Sequence, residues 1–149
     1  MAPLIVMIVV TLIGRLAAGL GVWPAGDSWV AALRIGLAAM FAFTAMSHFH
    51  PRVRPDLVRM VPASLPAPAL LVTVTGILEL LGAVGLLLPS TRTAAAFALV
   101  ALLVAMFPAN VRAARETFTI AGQPATPLIW RLPLQLLWMV ALAWVGASS

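Results

Sequence analysis

The sequence predicts an all-α protein, a bundle of five transmembrane helices forming one domain over residues 1–149. Three observations carry this. Hydrophobic residues make up 63% of the chain and charged residues 9%, against roughly 45–50% and about 25% in soluble domains. The apolar residues gather in five runs, each near the ~20 residues that cross about 30 Å of hydrocarbon. The runs are too long and too rich in Leu and Ala for strands. A surface with so little charge needs lipid as its solvent, so the lipid bilayer is the first expected partner.

The first run covers residues 4–22, with Arg15 inside it and Trp23-Pro24 after it. No positive charge precedes residue 15 and an arginine interrupts the run, so a retained helix is expected rather than a cleaved signal peptide. The short "WPAGDS", 23–28, joins it to the second run, 29–48. The stretch 48–68 contains five prolines and cannot be one helix. Within it "DLVRMV", between Pro55 and Pro62, fits one amphipathic turn at the headgroups. The third run, 69–88, and the fourth, 92–109, are separated only by "PSTR", which makes them an antiparallel hairpin. The stretch 110–127 is the most polar of the chain. The fifth run covers 128–145.

The net charge of +5 comes from nine basic residues against four acids, and every basic residue is arginine. These arginines lie in or beside apolar runs, where they set orientation and meet lipid phosphates; no nucleic acid is expected. Arg52, Arg54, Arg59, Arg112, Arg115 and Arg131 fall on the side of the two long connections, Arg34 and Arg92 on the other. The positive-inside rule then puts the long connections and the N-terminus in the cytoplasm and the C-terminus outside. Trp23, Trp29 and Trp144 form an external aromatic belt, with Trp130 on the internal side. The chain has no cysteine, which removes disulfides, thiol relays and thiolate metal sites.

Glu79 is the anomaly. It stands near the centre of the third run, and an ionised group there costs at least ~2.5 kcal/mol. Matching depth nominates Arg15 as its partner, with Arg34 second. Small residues flank both charges at helical spacing: Thr75, Gly76, Gly82 and Ala83 around Glu79, Ala18 and Gly19 around Arg15. This pair is either a structural device that fixes helix register or part of a ligand or proton site. The surplus of arginine suits an anionic or carbonyl-bearing ligand such as a quinone or a lipid headgroup.

Four secondary polar candidates remain. His48 reads as an interfacial cap. It shares a heptad-spaced stripe with Arg34 and Phe41, so that face packs inward. Asn110 follows Pro108 and can bridge or cap. Gln135 or Arg131 can satisfy the carbonyl that Pro133 frees near Ile129. His48, His50 and Asp56 are too weak a pattern for a metal, and none is expected. No phosphate loop, nucleophile elbow or His-Glu metalloprotease pattern is present.

"AMSHF" (45–49), "VPASLPAPALLVTVTGILELLGAVGLLLPSTR" (61–92), "LLVAMFPANVRAA" (102–114) and "RLPLQLLW" (131–138) together resemble the DoxX family of small bacterial membrane proteins. The resemblance covers residues 31–146. It implies a four-helix membrane core, here the second to fifth helices, in a bacterial inner membrane. It also implies a link to membrane redox chemistry, with a quinone as the cofactor and a membrane or peripheral redox protein as partner. Weight would fall on Glu79, Gly82, Pro89, Pro108, Asn110 and Pro133. The first helix is additional to that core. The family's usual topology would put 48–68 outside, against the arginine count, which is retained.

The leading expectation is therefore a DoxX-like membrane protein that binds a quinone or lipid-like molecule through a buried Glu/Arg centre and supports a redox partner. It would be a subunit of a membrane oxidoreductase rather than a self-contained enzyme. A ligand-free scaffold or assembly subunit and a small proton-coupled carrier are the alternatives, and a homo-oligomer is compatible with each.

Overall fold

A computed structural model describes residues 1–116 and 118–148. Its elements are α1 (Ala2–Gly19), a short 3₁₀ turn (Pro24–Gly26), α2 (Trp29–Phe49), α3 (Arg54–Met60), α4 (Pro68–Leu87), α5 (Arg92–Arg115), a hairpin of β1 (Thr119–Ile120) with β2 (Gln123–Pro124), and α6 (Leu128–Ala147). Five of the helices are long and apolar enough to cross a membrane.

Local sequence sets the ends. Proline opens α1 and α4, where its missing N–H is no loss. The Ser28 hydroxyl caps α2 by accepting from the Ala31 N–H at 3.1 Å. α1 stops at Gly19, three residues short of the apolar run, because the chain turns through Gly21 at φ +71°. α5 instead runs six residues beyond the expected end at 109, straight through Pro108. One lost hydrogen bond does not end a helix whose neighbouring bonds survive, and "NVRAAR" is itself helix-compatible. Among the described residues the hairpin is the one departure from an all-helical reading.

Successive long helices run antiparallel. α2 packs on α4, α4 on α5, α5 on α6, and α6 back on α2, which closes a four-helix ring. α1 lies outside the ring, along α2. Its seam is tight: a side chain at Gly36 would run into the Thr11 hydroxyl and the Met7 carbonyl. Inside the ring Leu37, Met40 and Phe41 of α2 meet Leu86, Leu99, Leu142 and Val145. Large apolar side chains cover the outside of all five long helices, among them Leu12, Phe43, Leu81, Val104 and Val140.

α2 ends early. The ring of Phe49 comes up against Gly76, which is eight residues, about 12 Å, into α4. The level left open beside the first turns of α4 is filled by α3 and the residues after it. Arg54 fastens this piece: Nη1 donates to the His48 carbonyl at 2.9 Å, and Nη2 to the Ala69 carbonyl at 3.1 Å and to Thr73 Oγ1 at 2.9 Å. Arg112 of α5 donates to the Val61 carbonyl. Asp56 accepts from the Ala121 N–H at 2.9 Å, which ties the hairpin down. The Phe118 ring lies under the guanidinium groups of Arg59 and Arg112, 5.3 and 5.7 Å away.

Candidate functional site

Beneath α3 the ring borders a half-open cavity of about 310 Å3. Met40 and Phe41 of α2, Val72 of α4 and Leu103 and Met106 of α5 form its walls, and Leu57, Met60, Val61 and Pro62 roof it. Its polar residues are Thr44, His48, Thr75, Glu79 and Asn110. The apolar walls follow from helix faces that would otherwise pack together. The space exists because α2 stops and α3 bridges over the gap.

Glu79 is only 4% exposed. Its Oε2 has no hydrogen-bond partner and lies 3.7 Å from Nδ1 of His48, beyond hydrogen-bond length. Nδ1 is 3.2 Å from the Thr44 carbonyl, so the geometry assigns the ring proton to Nδ1, donated to that carbonyl and lying close to the carboxylate. Thr44 stands beside the carboxylate, and its own hydroxyl donates to the Phe41 carbonyl at 3.1 Å. The Thr75 hydroxyl is spent within α4 on the Leu71 and Val72 carbonyls, at 2.9 and 3.1 Å. Gly76 lets His48 in: a Cβ there would lie 2.6 Å from His48 Cβ. Trp138 of α6 also lines the cavity, and its indole N–H is buried without a partner.

The expected Glu79–Arg15 pair does not form. Arg15 donates from Nη1 to the Gly26 and Asp27 carbonyls and stacks on Trp29, 5.2 Å from the ring centroid. Its helix ends only four residues later, so Arg15 belongs to the short-turn end of the bundle rather than its middle. Trp29 and His48 are nineteen residues apart on α2, about 28 Å. Arg34 fails for the same reason: fourteen residues, about 21 Å, separate it from His48. It is half-buried near Arg92. Among the described residues the basic side chain within 4 Å of the Glu79 carboxylate is His48, a contact that is an ion pair only while the imidazole is protonated. His48 thus takes the place proposed for an arginine, and it is more than an interfacial cap.

The other candidates sit one wall away. Gln135 is buried and donates to the Leu103 carbonyl of α5 at 2.8 Å. Arg131 donates to Asn110 Oδ1 at 2.7 Å and to the Thr126 carbonyl at 3.2 Å. Neither side chain bonds the carbonyl near Ile129 as expected; both link α6 to what lies outside it. Asn110 bridges to α6 and also lines the main cavity. His50 is exposed and accepts from the Arg52 N–H at 3.3 Å. Thr44, Trp138 and Arg54 were not legible as site residues. Thr44 carried a usable signal, since it lies one helical turn before His48 on the same face.

A family model described as a domain of unknown function (DUF8561) matches residues 37–147. No curated protein and no solved structure matches the chain.

Proposed function

The chain belongs to the DUF8561 family, whose match covers most of its four-helix ring, and on that premise we propose that it is an integral membrane protein binding a quinone or similar lipid-like molecule beneath α3. The five long apolar helices lie across the bilayer of a bacterial inner membrane, with the long connections in the cytoplasm. The DoxX resemblance points the same way, toward a subunit that serves a redox partner.

One observation carries the reading: a buried carboxylate oxygen without a hydrogen-bond partner among the described residues, on the wall of a mostly apolar cavity. An unpaired polar group in such surroundings costs free energy that an occupant offering a polar head recovers. The cavity's size is at the small end of ligand pockets, roughly 300–1,000 Å3, and suits a ring headgroup whose tail leaves between helices. With its Nδ1 proton held by the Thr44 carbonyl, His48 accepts from a ligand hydroxyl through Nε2, or donates to a ligand carbonyl when that nitrogen is also protonated; Glu79 accepts from a ligand hydroxyl. The two are also the groups able to give or take a proton at the ligand's oxygen. The chain has no thiol, so electrons would travel between the ligand and a partner protein.

The test is a fluorescence-quench titration of the purified protein in nanodiscs with decylubiquinone, read on the tryptophans. Wild type should quench saturably. Glu79→Gln should raise the Kd roughly tenfold, about 1.4 kcal/mol. A wild-type protein without saturable quenching would return the polar centre to a purely packing role.

A further inference from the structure

Arg131 lies at the fourth position of α6 and lines a second cavity of about 200 Å3. Leu103, Asn110 and Trp138 form a wall common to this cavity and the one beneath α3. Pro3 and Leu4 from the start of α1 and Leu134 of α6 close it with apolar surface.

The charge here is unmatched. The guanidinium donates through Nε and Nη1, both times to neutral acceptors, and among the described residues Nη2 has no hydrogen bond. The chain has four acids. Asp56 is 3.6 Å from Arg59, Glu116 is 2.9 Å from Arg112, and Glu79 faces His48. Asp27 belongs to the turn at the opposite end of the bundle. Among the described residues no side-chain carboxylate is left for Arg131. Asn110 turns its Oδ1 to the guanidinium, so its side-chain amide hydrogens remain available on the same cavity wall. Two sets of free donors around a cation, in a pocket with apolar sides, describe a seat for an oxyanion with a hydrocarbon tail. Among the described residues no carboxylate side chain lines the pocket to pair with a second, positive group on that head.

We propose that this second cavity seats the phosphodiester head of a net-anionic phospholipid, its oxygens taking the Nη2 hydrogens of Arg131 and the amide of Asn110. The acyl chains then run down the exposed apolar surface of α6. The two cavities share one wall, but Glu79 and His48 line the cavity beneath α3 alone, so loss of the Glu79 charge leaves this site intact.

Native mass spectrometry of the full chain in mild detergent tests it, with phosphatidylglycerol, phosphatidylcholine of the same chains and inorganic phosphate titrated separately. Wild type should retain one phosphatidylglycerol about tenfold more tightly than phosphatidylcholine, the scale of a charge-assisted hydrogen bond. Arg131→Gln should level the two lipids, and Arg131→Lys should keep part of the preference. Asn110→Ala, which leaves the charge in place, should weaken it severalfold and serves if the Arg131 variants do not fold. Equal retention of the two lipids by wild type, or an undiminished preference in Arg131→Gln, overturns the proposal. Arg131-dependent binding of phosphate alone overturns the assignment to a lipid. Glu79→Gln should leave the lipid preference unchanged; its loss there would overturn the independence of the two sites.

Discussion

A methyl group added at Gly76 would stand 2.6 Å from Cβ of His48 and about as close to its ring. Gly76→Ala therefore forces His48 outward and away from Glu79. Overpacking of this kind costs typically 1–3 kcal/mol, so the variant should melt several degrees lower and bind decylubiquinone more weakly at once. A lower melting temperature with unchanged affinity would separate His48 from the ligand site. The same residues show how far the sequence could be read. Glu79 was legible as an inward-facing group because Thr75, Gly76, Gly82 and Ala83 surround it at helical spacing, and it is 96% buried by its 4% exposure. Its partner was not legible. Depth was judged from where apolar residues end, and Leu20 and Val22 carried the count past the true end of α1 at Gly19. Arg15 thereby looked central, although it lies within one turn of the helix end. His48 looked peripheral, although α2 stops beside the middle of α4.

α3 is the element on which the site depends. "DLVRMV" could be read as an amphipathic turn, and the helix forms over Arg54–Met60. Its position could not be read, because it is set by Arg54 bonding to His48, Ala69 and Thr73, fifteen and nineteen residues away in the last two cases. Arg54→Ala removes all three bonds at once. Hydrogen bonds to a charged donor are worth about 1.5–3 kcal/mol each in partly buried settings, and solvent at this end reduces that. The variant should show faster amide exchange over residues 50–66 while α4 and α6 keep their protection. It should also release bound quinone faster. Unchanged exchange over 50–66 would mean that the apolar contacts of Leu57 and Met60 hold α3 without Arg54. α5 carries the complementary lesson: the fourth run is expected to end at 109, just past Pro108, and the helix continues to Arg115.

At the scale of the whole molecule, the count and order of long helices were legible because each is a run of apolar residues with punctuation at its ends. The closure of the ring by α6 on α2 was not, since it joins the two long helices farthest apart in the four-helix series. The family match begins at residue 37, within α2, so it leaves out α1. That boundary agrees with the fold, in which α1 lies along α2 outside the ring. Orientation is open to direct measurement, because the chain has no native cysteine. Ser64 and Ser90 are exposed at opposite ends of the bundle. In intact bacterial cells a membrane-impermeant maleimide should label Ser90→Cys and should reach Ser64→Cys only after permeabilisation. The reverse pattern would invert the proposed orientation.

α2 stopping beside Gly76 has a kinetic consequence. A plug of two helical turns, rather than a full membrane span, separates the carboxylate from the water at that end. For the proposed occupant, exchange by this route requires Arg54 and Arg112 both to let go and a short piece to swing, while the surrounding ring stays packed. Residence time becomes a property of the plug and affinity a property of the walls. The two can be altered independently by changing different residues.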